Sequence, residues 1–247
     1  MLKYIILGII QGLTEFLPVS SSGHLVLAQN LMGITENQLA ISVVLHLGTG
    51  LALVVFFFKE LLGIFKNIKL LAFLFVATLI TVLIGLSGKD FFESLFDAPR
   101  LVAGALLITG IILILTKKFM SGQRNTLNIK DAVVFGLAQS IAIIPGISRS
   151  GITISTLLFR KIDRQTSFKA SFLAAIPVIF GAAIFEARNI NFAFQAQARN
   201  LCIGFIFSFL AGLFSLGILK IILEKAKLYY FGYYCIIIAL ITLLFIK

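Results

Sequence analysis

Apolar residues run in long blocks along this chain, and charged residues punctuate them. A helix needs about 20 mostly apolar residues to cross the hydrocarbon of a bilayer. Six blocks meet that length closely enough to be predicted as membrane-crossing helices: 37–58, 70–88, 101–116, 170–185, 200–219 and 228–246. Polar or charged separators lie between them at Lys59–Lys69, Lys89–Arg100, Lys117–Asp131, Glu186–Arg199 and Lys220–Lys227.

Two further apolar regions do not fit a simple crossing. Residues 4–35 are interrupted by Glu15 and by Pro18-Val19-Ser20-Ser21-Ser22-Gly23-His24, and residues 132–159 by Pro145-Gly146-Ile147-Ser148-Arg149-Ser150-Gly151. Each is too long for one crossing and too short for two with a loop. Proline removes a backbone donor and pushes its predecessor out of helical space, so neither region is one continuous helix. Each is predicted to be a re-entrant hairpin of two half-helices, with its turn buried in protein or lining a watery cavity.

The two hairpins match each other. A shift of 128 superposes Gly8 on Gly136, Gln11 on Gln139, Ser20 on Ser148, Ser22 on Ser150 and Gly23 on Gly151. Three blocks follow each hairpin, so the chain reads as a single membrane domain, 1–247, built from two copies at about 1–116 and 130–247. Three crossings per copy is odd, which turns the second copy upside down. The basic loops agree with that arrangement. Lys59, Lys66 and Lys69, then Lys117, Lys118, Arg124 and Lys130, then Arg160, Lys161, Arg164 and Lys169, and finally Lys220, Lys225 and Lys227 all fall inside, as the excess of Lys and Arg in cytoplasmic loops requires. The first hairpin then dips from outside and the second from inside, and their tips meet near the midplane.

Composition removes the soluble alternatives. Apolar residues make up 60% of the chain and charged residues 13%, against about 25% charged in an ordinary soluble domain. The fold class is therefore an all-α integral membrane protein with six transmembrane helices, two re-entrant hairpins and an inverted-topology repeat. The net charge of +11 belongs to the loops and does not imply nucleic acid as a partner. Cys202 and Cys235 have no CxxC spacing and read as core cysteines. The run after Met1–Lys3 meets Glu15 rather than a small-residue cleavage site, so no cleavable leader is expected. Trp is absent, and Tyr229, Tyr230, Tyr233 and Tyr234 are expected to supply an interfacial belt.

Among 21 basic and 10 acidic residues, only Glu15 and Arg149 lie deep within apolar segments, one per hairpin. A charge at membrane depth is costly and marks function by default; the bland alternative is a buried ion pair that only holds the hairpins together. Gln11 and Glu15 share a helix face and could hold a hard cation such as Mg²⁺ or Ca²⁺. Ser21 and His24, or Ser20 and His24, are spaced for a hydroxyl–imidazole pair, the minimum for an activated nucleophile, although such a pair is commonly only a hydrogen bond. Ser20, Ser22, Ser148 and Ser150 stand where helix N-caps belong, and opposed half-helix N-termini with Arg149 make an anion site. Simple capping also accounts for each serine taken singly. His46 has no acidic neighbour in sequence and reads as a packed or interfacial histidine.

These motifs resemble those of the bacterial undecaprenyl-diphosphate phosphatases of the bacitracin-resistance type. Residues Gln11-Gly12-Leu13-Thr14-Glu15-Phe16-Leu17-Pro18-Val19-Ser20-Ser21-Ser22-Gly23-His24-Leu25 are similar to the first signature of that family, and Pro145–Gly151 to the second. Leu45-His46-Leu47-Gly48-Thr49 and Ala175-Ile176-Pro177 extend the likeness in outline over the chain. The resemblance implies an inverted-repeat membrane fold, and removal of the terminal phosphate from a C55 lipid diphosphate at a site open to the outer face of the bacterial inner membrane. It also implies a divalent cation, with membrane lipids as surroundings and a second copy of the chain as an open partner.

Carried over by motif, Glu15 and Gln11 serve metal or proton handling, Ser21 is the nucleophile and His24 its partner. Arg149, Ser20, Ser22, Ser148 and Ser150 hold phosphate. Where the family motif has Glu or Gln before its Glu, this chain has the Gln form, which makes for a weaker metal site or one completed by the diphosphate. The rival of a different class is a lipid-phosphate flippase, which would use the same arginine and amides but needs no nucleophile. The topology predicts that a tag at Lys247 is accessible from outside the cell and not from the cytoplasm, as side-specific labelling of intact cells would report.

Overall fold

The computed structural model describes residues 1–34, 38–95, 99–187 and 198–245. The regular structure of these residues is helical, with α-helices α1 (Leu2–Phe16), α2 (Ser21–Leu31), α3 (Gln38–Phe56), α4 (Phe58–Gly63), α5 (Ile68–Ser87), α6 (Lys89–Ser94), α7 (Pro99–Leu115), α8 (Ile129–Ile141), α9 (Arg149–Phe159), α10 (Arg164–Ala187), α11 (Ala198–Glu224) and α12 (Tyr229–Phe245). Among the described residues there is no strand, and the one extended contact is an isolated bridge between Arg124 and Ile162. Five segments are long and apolar enough to cross a membrane: Gln38–Phe56, Ile68–Ser87, Arg100–Lys118, Arg164–Glu186 and Ala198–Glu224. Tyr229–Leu244, the sixth expected crossing, is apolar but shorter. Lys247 and the middles of the two expected outside loops lie outside the described residues.

The charged separators do not coincide with the helix ends. α10 was expected over 170–185 but begins at Arg164, because Asp163 accepts the Thr166 amide at 2.9 Å and starts the helix ahead of the apolar block. The separators at 59–69 and 89–100 likewise contain helical turns. Pro177 sits inside α10 without ending it.

Both interrupted regions break where their prolines stand. Leu17, ahead of Pro18, is extended at φ −63° and ψ 140°, which closes α1. α2 then starts after Ser20, whose φ of 68° is rare for a residue with a side chain. α8 ends in successive tight turns from Ala142 to Ile147, and Gly146 takes φ 96° with its Cα so near the Val102 carbonyl that an added Cβ would lie 2.3 Å from that oxygen. At about 1.5 Å per residue, α1, α2, α8 and α9 each span no more than about 23 Å, short of a roughly 30 Å hydrocarbon core.

The half-helices are held by exchange between the two halves of the chain. α1 packs along α11, and α8 packs along α5. α7 pairs with α12, and α3 lies against both α10 and α11. Small residues permit the close approach, as is usual where helices meet without a hydrophobic drive. A Cβ on Gly8 would meet the Gly204 carbonyl oxygen at 2.4 Å, and one on Gly12 would meet the Ser208 carbonyl oxygen at 2.5 Å. Hydroxyls tie α11 to both neighbours: Ser215 Oγ donates to the Gly12 carbonyl of α1 at 2.7 Å and Ser208 Oγ to the Leu45 carbonyl of α3 at 2.7 Å. On the other side, Gln139 donates to Thr81 Oγ1 at 3.0 Å.

The base of the second hairpin is pinned by a buried carboxylate outside the membrane-spanning segments. Asp131 accepts from Arg124 Nη1 at 2.6 Å and Nη2 at 2.9 Å, and from Arg160 Nε. It also closes a capping box with Asn128. Burial pushes the Asp131 carboxyl up, but the bonds from Arg124, Arg160 and Asn128 outweigh it and hold the group at about 2. A depressed carboxyl stabilises the fold above the unfolded value of about 4, and that contribution fades as pH falls towards 2.

Gly12→Ala is expected to lower the thermal midpoint of the detergent-solubilised protein. The new Cβ must push α1 off α11, at a cost of about 1–3 kcal/mol. Gly217→Ala on α11, where an added Cβ meets nothing within 4 Å, leaves the midpoint unchanged or raises it.

Candidate active site

The two hairpin tips meet at Glu15. This carboxylate belongs to the penultimate residue of α1, is buried, and has both of its oxygens occupied. Oε1 accepts from Arg149 Nη2 at 2.8 Å. Oε2 accepts from Ser21 Oγ at 2.7 Å and from Gln11 Nε2 at 3.1 Å. Ser21 and Arg149 are each the first residue of an outgoing half-helix, α2 and α9. They also occupy matching positions in the 128-residue shift. One carboxylate therefore bridges the N-termini of two half-helices, whose free amides and dipoles favour an anion.

Arg149 is more than a counterion. Its guanidinium lies over the Phe172 ring at 5.8 Å, within the packed cluster of Phe16, Phe168 and Phe172. Nη2 serves Glu15, but Nη1 is buried without a hydrogen-bond partner. A buried guanidinium donor left unpaired is costly, and an oxyanion is the group that would satisfy it. Thr109 prepares this tip from α7. Its hydroxyl donates to the Gly146 carbonyl at 3.0 Å and accepts from the Ser148 amide at 3.1 Å.

The serines separate by role. Ser148 caps α9, its Oγ accepting the Gly151 amide at 3.2 Å, and Ser150 Oγ stands 3.3 Å from it. Both are buried, and the hydrogen bonds their hydroxyls make lie inside the turn. Ser20 and Ser22 repeat the pair in the first hairpin, also 3.3 Å apart, but Ser20 makes no side-chain cap bond. Only Ser21 reaches the carboxylate.

The expected pairing of His24 with Ser21 is not formed. His24 Nδ1 meets the Ser20 carbonyl at 2.8 Å, and a carbonyl only accepts, so Nδ1 carries the hydrogen. Nε2 then accepts from the Tyr234 hydroxyl at 2.7 Å, with the two rings stacked 5.8 Å apart. Both nitrogens are used, and His24 fastens the first tip to α12. Tyr234, read from sequence only as interfacial, is thereby a second anchor of the tip.

His46 was also misplaced by the sequence reading. From α3 its Nε2 lies 3.5 Å from Glu15 Oε2, while Nδ1 donates to the Ser42 carbonyl at 2.7 Å. The spacing of Ser42 and His46 is visible in the sequence, but the acid it faces is 31 positions away on another helix.

Gln11 and Glu15 do share a face, yet they do not fit a freestanding divalent-cation site. Gln11 Oε1 is a buried oxygen without a partner and could accept a cation. Against that, both Glu15 oxygens already take donors, and one donor is a guanidinium that repels a dication. Among the described residues no three His, Cys, Asp or Glu side chains converge to hold a metal. Calorimetric titration of the substrate-free protein with Mg²⁺ or Ca²⁺ is expected to show no saturable binding below the millimolar range.

Residues 4–241 match the family model described as bacitracin resistance protein BacA. Curated relatives carry the name undecaprenyl-diphosphatase. The protein of Carboxydothermus hydrogenoformans is 43% identical over 93% of this chain and 91% of its own length. That of Halothermothrix orenii is 41% identical over 98% and 96%, and that of Methanococcus maripaludis 38% identical over 99% and 100%.

Proposed function

The chain belongs to the bacitracin resistance protein BacA family, and on that premise we propose that it hydrolyses undecaprenyl diphosphate to undecaprenyl phosphate and inorganic phosphate. That reaction recycles the lipid carrier of peptidoglycan synthesis and confers resistance to bacitracin. The observation that carries the site assignment is the triplet at the tips: Ser21 Oγ on Glu15 Oε2, Arg149 Nη2 on Glu15 Oε1, and Arg149 Nη1 buried without a partner.

The chemistry follows from those contacts. The prenyl tail stays in lipid while the diphosphate enters between the tips. Arg149 Nη1 and the half-helix amides hold the non-bridging oxygens where charge spreads as the phosphoryl group transfers. Glu15 Oε2, at 2.7 Å from Ser21 Oγ, takes the hydroxyl proton. The Oγ–P bond forms as the bond from phosphorus to the bridging oxygen breaks, and that electron pair leaves on the lipid monophosphate. Water then attacks the phosphoserine, phosphate departs, and Glu15 returns the proton to Oγ. His24 acts by fixing the turn that presents Ser21 rather than as the base. Gln11 and Glu15 would not hold a divalent cation by themselves; one carried in with the diphosphate would supply charge neutralisation to it.

The halves are two inverted copies, six crossings with two hairpins, set in the inner membrane with the site open to the outer face. The reciprocal packing of α1 on α11 and α8 on α5 supports that reading, as does the distribution of basic loops. The flippase alternative uses Arg149 but gives Ser21 and its carboxylate no task.

Phosphate release from undecaprenyl diphosphate in detergent, where no sides exist, tests hydrolysis apart from transport. Arg149→Ala is expected to lose about 10²–10³ in rate, and Ser21→Ala to be inactive while eluting and melting as the parent does. Retained turnover in Ser21→Ala would assign the attack directly to water.

A further inference from the structure

His46 is a third charged-type side chain at Glu15, and it comes from neither hairpin. Its ring is fixed: Nδ1 donates to the Ser42 carbonyl one turn back on α3, which aims Nε2 at Glu15 Oε2. The 3.5 Å separation suits ion-pair contact and is long for a hydrogen bond, so Nε2 is not committed to the carboxylate in the way Ser21 is. Arg149 approaches the other oxygen of the same carboxylate. Glu15 is thus flanked by a guanidinium on Oε1 and an imidazole on Oε2.

Exposure grades the three. The side chains of Glu15, Arg149 and His46 are 7%, 14% and 32% accessible, so the imidazole is the most open to an arriving group. Among the described residues, the charges on α10 and α11, the other long helices packed on α3, lie within their terminal two turns. Glu15 is the charged group that His46 meets in mid-helix.

One carboxylate between two such donors is an arrangement for receiving an anion with more than one phosphoryl group. We propose that His46 is a substrate-binding residue of this site: with Nδ1 already carrying a hydrogen, it acts as the imidazolium, whose Nε2–H donates to a phosphate oxygen of the diphosphate from the side opposite Arg149. The proposal rests on the phosphatase reading for the identity of the substrate. His46 makes and breaks no covalent bond. It adds a wall from α3 to a site otherwise built from the two tips, and it holds the second phosphate while Arg149 Nη1 holds the first.

The test uses the full-length protein purified in detergent, with two readouts. One is kcat and KM for phosphate release from undecaprenyl diphosphate; the other is calorimetric binding of inorganic pyrophosphate, which needs no turnover. A charge-assisted hydrogen bond to phosphate corresponds to about ten-fold or more in affinity. His46→Ala is therefore expected to raise both KM and the pyrophosphate Kd about ten-fold or more, with kcat within about three-fold. His46→Gln, which keeps a neutral donor, falls between, and His46→Arg restores binding. Melting and elution are measured for each variant, and should His46→Ala not fold, the Gln and Arg variants carry the comparison.

Unchanged KM and Kd in a folded variant would overturn the proposal. So would a fall in kcat alone, which would make His46 a positioning residue for Glu15. If the parent released no phosphate but bound pyrophosphate in a His46-dependent way, the phosphatase reading would fail and the binding role would stand. Hydrolysis by the parent that is indifferent to His46 would mean the reverse.

Discussion

A single carboxylate holds the architecture together at membrane depth. Glu15 takes a donor from each outgoing half-helix, Ser21 from α2 and Arg149 from α9, on different oxygens. None of the four half-helices α1, α2, α8 and α9 is long enough to span the bilayer, and each pair is joined by a turn whose backbone would be costly if it faced lipid. Joining the turns through one buried anion gives both tips a partner and keeps them off the hydrocarbon. The pair is also a poor purely structural device. Desolvating two charges costs about as much as their attraction returns, and here one guanidinium nitrogen remains unspent.

That unspent donor separates the site from a static brace. A brace would be expected to satisfy the whole guanidinium, as the Asp131 cluster does for its own carboxylate with two arginines and a capping box. The two ionic centres therefore differ in kind. The one at the base of the second hairpin is closed on itself and fixes the start of α8 and the Arg124 segment to the turn at 160–163. The one at the tips leaves a guanidinium nitrogen without a partner. An incomplete cationic site next to a hydroxyl on a carboxylate is what phosphoryl transfer needs, because the protein's task there is positioning and charge stabilisation.

The two tips match at the 128-residue shift and differ at the residues that meet. The serine pairs flanking Ser21 and Arg149 persist at 3.3 Å in both tips, and Gln11 and Gln139 each keep a buried unpartnered amide oxygen. Between the serines, one copy has a hydroxyl and the other a guanidinium, and only the first carries an acid one turn before its proline. Two similar turns thus supply complementary groups to one carboxylate, a hydroxyl from one and a guanidinium from the other.

Hydropathy blocks determined that the chain is an all-α membrane protein, and the two proline-broken regions determined where the half-helices end, because both depend on local backbone chemistry and on residues adjacent in sequence. Glu15 and Arg149 were legible for a similar reason, since a charge inside an apolar block is anomalous wherever it folds. Tertiary structure decided the partners. His24 turned from Ser21 to Tyr234 because both ring nitrogens found nearer groups, and His46 reached Glu15 because α3 and α1 lie side by side. Spacing along a helix states which face a side chain occupies, but which face of another helix stands opposite depends on packing contacts spread over many residues, such as Gly12 against Ser208, and no local pattern encodes them.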